Sequence, residues 1–214
     1  MQSSARPRLA ILGTRFADFD VERRVLGDVE IVSGPGRSPD EVVSVSAGAE
    51  VILAGAAPLF DADTIGRLDC RGIVRLGVGV DSVDLEAAKR RGIWVSYVPD
   101  YGTESVALHT ITLMLAAMRR LPMADRYVRD GHWGLDVLRP LHLPAVSTLG
   151  LVGFGRIGRR VLELTAPFGF ASVMVADPVV SSDAVRATGA EPAELDQLLA
   201  GADVVSLHAP PPPE

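Results

Sequence analysis

The chain has 214 residues, of which 48% are hydrophobic and 22% are charged, enough apolar side chain for one large or two modest cores. Its formal net charge of −6 provides no basic field for nucleic acid or an anionic membrane surface, so neither is expected as a partner. The single cysteine, Cys70, excludes an intramolecular disulfide and an all-cysteine metal cage, and no metal site is predicted.

The first half of the chain alternates short apolar runs rich in Val and Ile with segments of helical period, which is the pattern of parallel βα units. The predicted strands are 8–12, 29–32, 51–53, 72–76 and 93–95. The segment 38–41, Ser-Pro-Asp-Glu, predicts a capping-box helix start, and a helix over 84–91 is expected to end at Gly92. These elements predict a first α/β domain over residues 1–102.

A turn-rich segment, 98–102, separates this series from the remainder of the chain. A long apolar helix over 104–120 and a second helix over 124–133 are expected next. A new βα series follows, with predicted strands 148–152, 172–175 and 204–207 and predicted helices 156–164 and 192–199. Residues 103–214 are therefore predicted to form a second α/β domain, in which 204–207 is the third strand.

The apolar segments of the sequence indicate neither a secretory signal nor a membrane-spanning helix. No secretory signal is recognisable before the apolar stretch 9–12. The longest apolar region, 105–118, is too short to span a bilayer. A cytoplasmic location is therefore expected.

The strongest chemical signal is the segment Gly153-Phe154-Gly155-Arg156-Ile157-Gly158, between a predicted strand and a predicted helix. Gly153 permits a tight turn, Gly155 lets a pyrophosphate approach the backbone, and Gly158 lets the helix pack closely on the strand. The helix N-terminus offers amides to the phosphates. Asp177, 22 residues after Gly155, ends the next strand, where a carboxylate suits ribose hydroxyls and an arginine would suit a 2′-phosphate. The pattern predicts NAD as cofactor; the alternative is a Rossmann-like domain without a dinucleotide.

A second glycine cluster, Leu76-Gly77-Val78-Gly79-Val80-Asp81, follows a predicted strand of the first domain. It is not a Walker loop, because no Gly-Lys-Ser/Thr follows. Two interpretations stay open. The glycines allow a tight turn that needs positive φ, or the exposed amides of the turn bind a substrate carboxylate.

Four ordered segments resemble successive signatures of the D-isomer-specific 2-hydroxyacid dehydrogenase family. These segments are 75–84, 98–107, the fingerprint 153–158 and 205–210. The stretch 98–104, Val-Pro-Asp-Tyr-Gly-Thr-Glu, is most similar to the branch that includes the C-terminal-binding proteins. The resemblance implies a flavodoxin-like substrate domain followed by the first half of a Rossmann dinucleotide-binding domain.

The resemblance also implies roles for individual residues. The amides around Gly77, Val78 and Gly79 would face the substrate carboxylate and the nicotinamide end of the cofactor. Arg156 and Ile157 would lie over the pyrophosphate. The residues implied to bind the cofactor are Val78, Gly153, Phe154, Gly155, Arg156, Ile157, Gly158, Asp177, His208, Ala209 and Pro210, the last three beside the adenosine half.

The chemistry of the family is hydride transfer between C2 of a 2-hydroxy acid and C4 of the nicotinamide, with an Arg on the carboxylate and a Glu-tuned His carrying the hydroxyl proton. The resemblance places these three groups beyond the segment 205–210, so no catalytic residue is assigned within this chain. We expect the chain to be a catalytically incompetent piece of a longer reading frame; the alternative is a natural short protein. The complete protein is expected to be a homodimer that acts on a small 2-hydroxy or 2-oxo acid.

Two further functions stay open. One is an NAD(H)-sensing regulatory protein that resembles the C-terminal-binding proteins. The other is a formate- or phosphite-type relative.

Overall fold

The computed structural model describes residues 6–16 and 18–210. The chain divides into two compact units, Met1–Tyr101 and Gly102–Glu214, whereas the predicted division follows residue 102. Each unit contains a parallel sheet with helical connections, which confirms the α/β fold class. Among the described residues, no helix is long and apolar enough to cross a membrane.

The first unit is built on a five-stranded parallel sheet in the order β2-β1-β3-β4-β5, the flavodoxin-like order that the family resemblance implies. Its strands are β1 (Arg8–Leu12), β2 (Glu30–Gly34), β3 (Val51–Ala54), β4 (Gly72–Arg75) and β5 (Trp94–Tyr97). Its helices are α1 (Asp20–Leu26), α2 (Pro39–Val45), α3 (Ala62–Gly66) and α4 (Leu85–Arg90). Leu12 pairs with Ala54, Ala54 with Arg75, and Arg75 with Tyr97, so the strands end along one edge.

Two short helices of this unit lie outside the sequence prediction. Helix α1 has only seven residues and buries none of them; its apolar side chains, Val21, Val25 and Leu26, are all exposed. Helix α3 has only five residues and begins at the N-cap Asp61, whose carboxylate accepts a hydrogen bond from the Thr64 amide. A periodic pattern cannot develop over so short a helix.

The predicted capping box at the start of α2 is half right. The hydroxyl of Ser38 accepts a hydrogen bond from the Glu41 amide at 3.3 Å, as predicted. The Glu41 carboxylate, however, accepts from the Arg37 amide at 2.8 Å rather than from the Ser38 amide. The glutamate therefore fixes the chain one residue before the N-cap.

The second unit begins with two helices, α5 (Thr103–Met118) and α6 (Leu121–Arg129), and continues as a βα series. Its strands are β6 (Thr148–Val152), β7 (Ser172–Ala176), β8 (Glu191–Pro192) and β9 (Val204–Leu207). Its later helices are α7 (Arg156–Thr165), α8 (Ser182–Arg186) and α9 (Leu195–Gly201), with short 3-10 turns at Asp136–Leu138, Pro144–Val146 and Ala166–Phe168. The sheet order is β8-β7-β6-β9 and all pairs are parallel.

The prediction that 204–207 is the third strand of this sheet is wrong. The two-residue strand β8 precedes it, so β9 is the fourth strand, on the opposite side of β6 from β7. Pro192, where a helix was predicted to begin, ends β8, and α9 begins at Leu195. The strand order reverses at β6, and such a reversal is where open α/β sheets bind their ligands.

Close packing explains two glycines in the cores. In β6, a Cβ added at Gly150 would lie 2.6 Å from Cδ2 of Leu198, the fully buried leucine of α9. In the first unit, a Cβ added at Gly55 would overlap the carbonyl oxygen of Gly13. Because that oxygen belongs to the backbone, it cannot swing aside as a side chain would.

We expect Gly55→Ala to lower the free energy of unfolding by about 1 to 3 kcal/mol, because the new methyl group must displace backbone at the ends of β1 and β3. The matched control is Gly66→Ala: Gly66 is helical and exposed, with no atom within 4 Å of an added Cβ. Gly66→Ala should raise the free energy of unfolding by about 0.5 to 1 kcal/mol. Urea unfolding measures the free energy of unfolding of both variants. Equal changes in the two would contradict the backbone contact at Gly55.

Candidate nucleotide-binding site

The turn between β6 and α7 requires glycine at its first position. Gly153 has φ +91°, and a Cβ added there would lie 2.5 Å from the Ala209 nitrogen and 2.7 Å from the His208 carbonyl carbon. The Gly153 amide donates to the carbonyl of Ala176, the last residue of β7, at 2.9 Å. The turn is therefore held between the end of β7 and the segment that follows β9.

The other two fingerprint glycines have different surroundings. Gly155 is the N-cap of α7, with φ −72°, and an added Cβ would meet no atom within 4 Å. A Cβ at Gly158 would overlap the carbonyl oxygen of Gly153, so the helix lies directly on the turn. The first turn of α7 has amides without an intrahelical acceptor, and the positive end of the helix dipole adds to their attraction for anions. Open space at Gly155 thus borders an anion-binding helix end.

Asp177 lies just beyond β7 and faces this turn. One carboxylate oxygen accepts from the Phe154 amide at 2.6 Å, and the other accepts from the amides of Val179 and Val180 at 2.8 and 2.9 Å. Burial alone would raise the pKa of this carboxyl. The three backbone donors, with the charge of Arg159, outweigh burial and hold the pKa below its ordinary value, so Asp177 is an anion at neutral pH.

His208 and Ala209 complete the wall behind the turn. The His208 Nε2 lies 3.0 Å from the hydroxyl of Ser206, and burial lowers the pKa of the imidazole, which favours its neutral form at neutral pH. Its Cδ2 atom would lie 3.7 Å from a Cβ at Gly158. Pro210, the last described residue, is exposed. The structure thus brings His208 and Ala209 against the fingerprint.

A cleft of about 550 Å³ opens beside these residues at the carboxyl edge of the second sheet. It is lined by Val152, residues 176–182 and residues 193–195. The cleft offers the Asp177 carboxylate, and the nearby turn has a glycine over which an incoming group meets no side chain. Both features fit a dinucleotide, with ribose at Asp177 and pyrophosphate over Gly155.

The glycine cluster of the first unit follows β4. Gly77 and Gly79 are not among the glycines with positive φ in the described part of the chain, so the interpretation as a turn that needs positive φ is wrong. A Cβ at Gly77 would meet no atom within 4 Å, and Val78 is 48% exposed. No hydrogen bond between described residues uses the amides of Gly77, Val78 or Gly79. Available amides and open space at Gly77 therefore distinguish this turn, whereas a Cβ added at Gly79 would lie 3.0 Å from a carboxylate oxygen of Asp81.

A buried arginine, Arg75, ties this turn to the sheet. Only 8% of its surface is exposed, and Nη1 donates to the carbonyl of Ala54 at 3.0 Å and to that of Gly55. Its Nε donates to the carbonyl of Gly79 at 3.3 Å. Among the ion pairs of the described residues, none involves Arg75. Sequence reasoning gave Arg75 no role, although a charged residue at the end of a buried strand was an available signal.

The fold and the cleft define a Rossmann-type dinucleotide-binding protein. Residues 111–214 match the family model described as "D-isomer specific 2-hydroxyacid dehydrogenase, NAD binding domain". The D-3-phosphoglycerate dehydrogenase of Mycobacterium tuberculosis (strain H37Rv) is 39% identical over 193 residues, a match that covers 88% of this chain and 36% of the relative. That of Archaeoglobus fulgidus is 35% identical over 184 residues, which covers 86% of this chain and 34% of the relative.

Two solved structures extend the similarity to the fold. The D-lactate dehydrogenase of Aquifex aeolicus, complexed with NAD and lactic acid, is 27% identical with a TM-score of 0.81, covering 95% of this chain and 61% of that one. The TT0316 protein of Thermus thermophilus is 34% identical with a TM-score of 0.82, covering 96% and 66%. The chain belongs to the D-isomer-specific 2-hydroxyacid dehydrogenase family, and its second unit is an NAD-binding domain. It spans about a third of the length of the curated relatives it matches.

Arg75→Met should lower the free energy of unfolding by about 2 to 4 kcal/mol, because three carbonyl groups lose a charged donor and at least two of them stay buried. Arg90→Met, at an exposed position of α4, serves as the control and should change stability by about 0.5 kcal/mol or less. Urea unfolding compares the two variants. Similar small losses would show that Arg75 does not tie the turn to the sheet.

Asp177→Asn should lower the free energy of unfolding by about 1 to 3 kcal/mol at neutral pH, because an amide oxygen accepts these bonds more weakly than a carboxylate. The folded-state pKa is depressed, so this stabilisation is present above the ordinary value of 3.8 and is lost as the pH falls below it. The difference from wild type should therefore shrink in acid. Asp196→Asn, exposed on α9, is the control. A difference independent of pH would refute the ionic role.

Proposed function

We propose that this chain carries the cofactor site and the substrate-carboxylate site of an NAD-dependent 2-hydroxyacid dehydrogenase. The observation that carries the proposal is the pairing of an unobstructed Gly155 at the start of α7 with an ionised Asp177 at the end of β7. Such an arrangement suits the pyrophosphate and the adenosine ribose of one dinucleotide. Bound NAD supplies the carbon that accepts hydride from C2 of the 2-hydroxy acid.

In this proposal the residues of the second unit bind and orient the cofactor. The amides of Arg156 and Ile157 bind the pyrophosphate, and Asp177 accepts from ribose. A carboxylate accepts about four hydrogen bonds, and three are already made by backbone amides, so about one ribose hydroxyl can bind directly. His208, Ala209 and Pro210 border the adenosine half, where the neutral imidazole adds no charge.

The turn of the first unit is proposed to bind the substrate. The amides of Gly77, Val78 and Gly79 offer donors to a carboxylate, and Val78 is also proposed to touch the nicotinamide end of the cofactor. Arg75 keeps the turn in place through the Gly79 carbonyl and adds a positive charge close to it. We propose a small 2-hydroxy or 2-oxo acid as substrate and a homodimer as the state of the complete protein.

Turnover requires the Arg, Glu and His that the family resemblance places beyond residue 214, so we propose that the 214-residue chain alone is inactive. NADH oxidation is measured with glyoxylate, pyruvate, hydroxypyruvate and 3-phosphohydroxypyruvate; robust turnover would contradict the proposed inactivity.

The alternative function is an NAD(H)-sensing regulatory protein. The reading frame after codon 214 distinguishes it from the enzyme. An Arg, Glu and His there favour the enzyme. A cytoplasmic location stays a prediction.

Gly155→Ala should weaken NADH binding at least about tenfold, because the methyl group enters the space proposed for the pyrophosphate while touching no protein atom. The same variant should leave the free energy of unfolding within about 0.5 kcal/mol of wild type. Fluorescence titration with NADH gives the Kd, and Gly66→Ala is the control that leaves it unchanged. Wild-type affinity in the Gly155 variant would place the pyrophosphate elsewhere.

A further inference from the structure

The loop after β3, residues 55–59, runs beside the glycine turn of the first unit and is fastened to it at both ends. Before the loop, the carbonyl of Ala54 accepts a hydrogen bond from the Leu76 amide at 2.8 Å. After the loop, Phe60 forms a parallel bridge with Val83, the residue that follows the turn. The loop therefore flanks the turn from one end to the other.

The side chains that this loop exposes are all apolar. Ala56 and Ala57 are exposed, and 54% of the surface of Leu59 is accessible. Pro58 is buried and packs towards the end of β1, where a Cβ added at Gly13 would overlap its Cδ atom. With the proline as an anchor, the loop presents two methyl groups and an isobutyl group, and it carries no charged or hydrogen-bonding side chain.

The charges around the turn suit one anionic group and oppose a second. Arg75 is buried, and its donors serve the backbone carbonyls that hold the turn. The carboxylate of Asp81 borders the turn, 3.0 Å from the position of a Cβ at Gly79. Arg15 follows β1, two strands away from β4, which is about 10 Å by the spacing of strands in a sheet. The available amides can bind one carboxylate, whereas a second anion would meet the negative charge of Asp81.

We infer that the loop 55–59 contacts the substituent at C3 of the substrate and selects a small aliphatic acid over one that carries a phosphate group. This selection rests on the proposed binding of the substrate carboxylate by the turn. C3 is two bonds from the carboxylate carbon, and neighbouring strands lie about 4.8 Å apart, so the loop is within reach of C3. Methyl groups remove an aliphatic substituent from water, whereas they leave a phosphate without a partner. D-3-phosphoglycerate, the acid named in two of the relatives above, carries such a phosphate.

The test is an NMR titration of the ¹⁵N-labelled 214-residue chain, in the presence of NAD, with D-lactate, D-2-hydroxybutyrate and D-3-phosphoglycerate in separate experiments. The shifts of the Gly77, Val78 and Gly79 amides give each Kd. Wild type should bind D-2-hydroxybutyrate about two- to fourfold more tightly than D-lactate, because one more methylene group meets the loop. It should bind D-3-phosphoglycerate at least about fivefold more weakly than D-2-hydroxybutyrate.

A new cation in the loop should reverse this preference. Ala56→Arg should tighten the binding of D-3-phosphoglycerate at least about fivefold, because a guanidinium binds phosphate through two parallel donors. The matched control is Ala47→Arg, an exposed alanine before β3 and therefore at the opposite edge of the same sheet. That control should leave all three Kd values within about twofold of wild type. Ala57→Arg, also at an exposed position, is the second variant if Ala56→Arg does not fold.

The outcomes separate the role of the loop from the proposed carboxylate site. Tighter binding of D-3-phosphoglycerate than of D-2-hydroxybutyrate by wild type overturns the role of the loop and leaves the carboxylate site standing. An unchanged Kd for D-3-phosphoglycerate in the folded arginine variant places C3 away from the loop and also overturns it. If none of the three acids shifts the amides of the turn, the carboxylate site itself is contradicted, and the role of the loop with it. The dispersion of each spectrum shows whether the variant is folded.

Discussion

Close backbone packing at the end of β6 is the constraint on which the nucleotide site depends. Gly153 lies against the backbone of His208 and Ala209, and its amide donates to the last residue of β7. The carbonyl oxygen of Gly153 in turn lies against Gly158 of α7. Three strand ends and one helix therefore meet at a place with no room for a Cβ. Since parallel strands end along one edge, a ligand at this edge contacts all of these elements.

The same packing explains how a carboxylate can be kept ionised at the edge of a core. The turn directs the Phe154 amide to Asp177, and the chain after β7 adds the amides of Val179 and Val180. Burial of a charge is unfavourable unless hydrogen bonds compensate it, and here three backbone donors do so. Asp177 therefore stabilises the junction of β6 and β7 before any ligand arrives. Ribose recognition would use the acceptor capacity that remains.

In the first unit, protein atoms fill the place where an open sheet of this strand order would bind a ligand. In flavodoxin-like sheets the ligand crevice lies between the carboxyl ends of the first and third strands. Here Gly13 and Gly55, which follow β1 and β3, are in backbone contact, and Arg75 donates to the carbonyls of Ala54 and Gly55. The crevice is thus filled by protein. Backbone amides with no partner among the described residues occur instead in the turn after β4, which Arg75 holds through Gly79.

Sequence reasoning identified the features whose residue spacing reflects local backbone geometry. It was incomplete for features that depend on contacts between residues distant in the sequence. The glycine fingerprint and Asp177 were found because a strand, a turn and a helix start have a fixed residue spacing. The strand β8 was missed because two residues show no periodicity, and the seven-residue helix α1 because Val21 and Val25 alone are too few to establish one. Arg75 received no role because its partners, carbonyl groups at strand ends, are set by the fold. An arginine at a strand end is ordinary in sequence; whether its donors are committed to the backbone depends on which carbonyl groups the folded chain brings within reach.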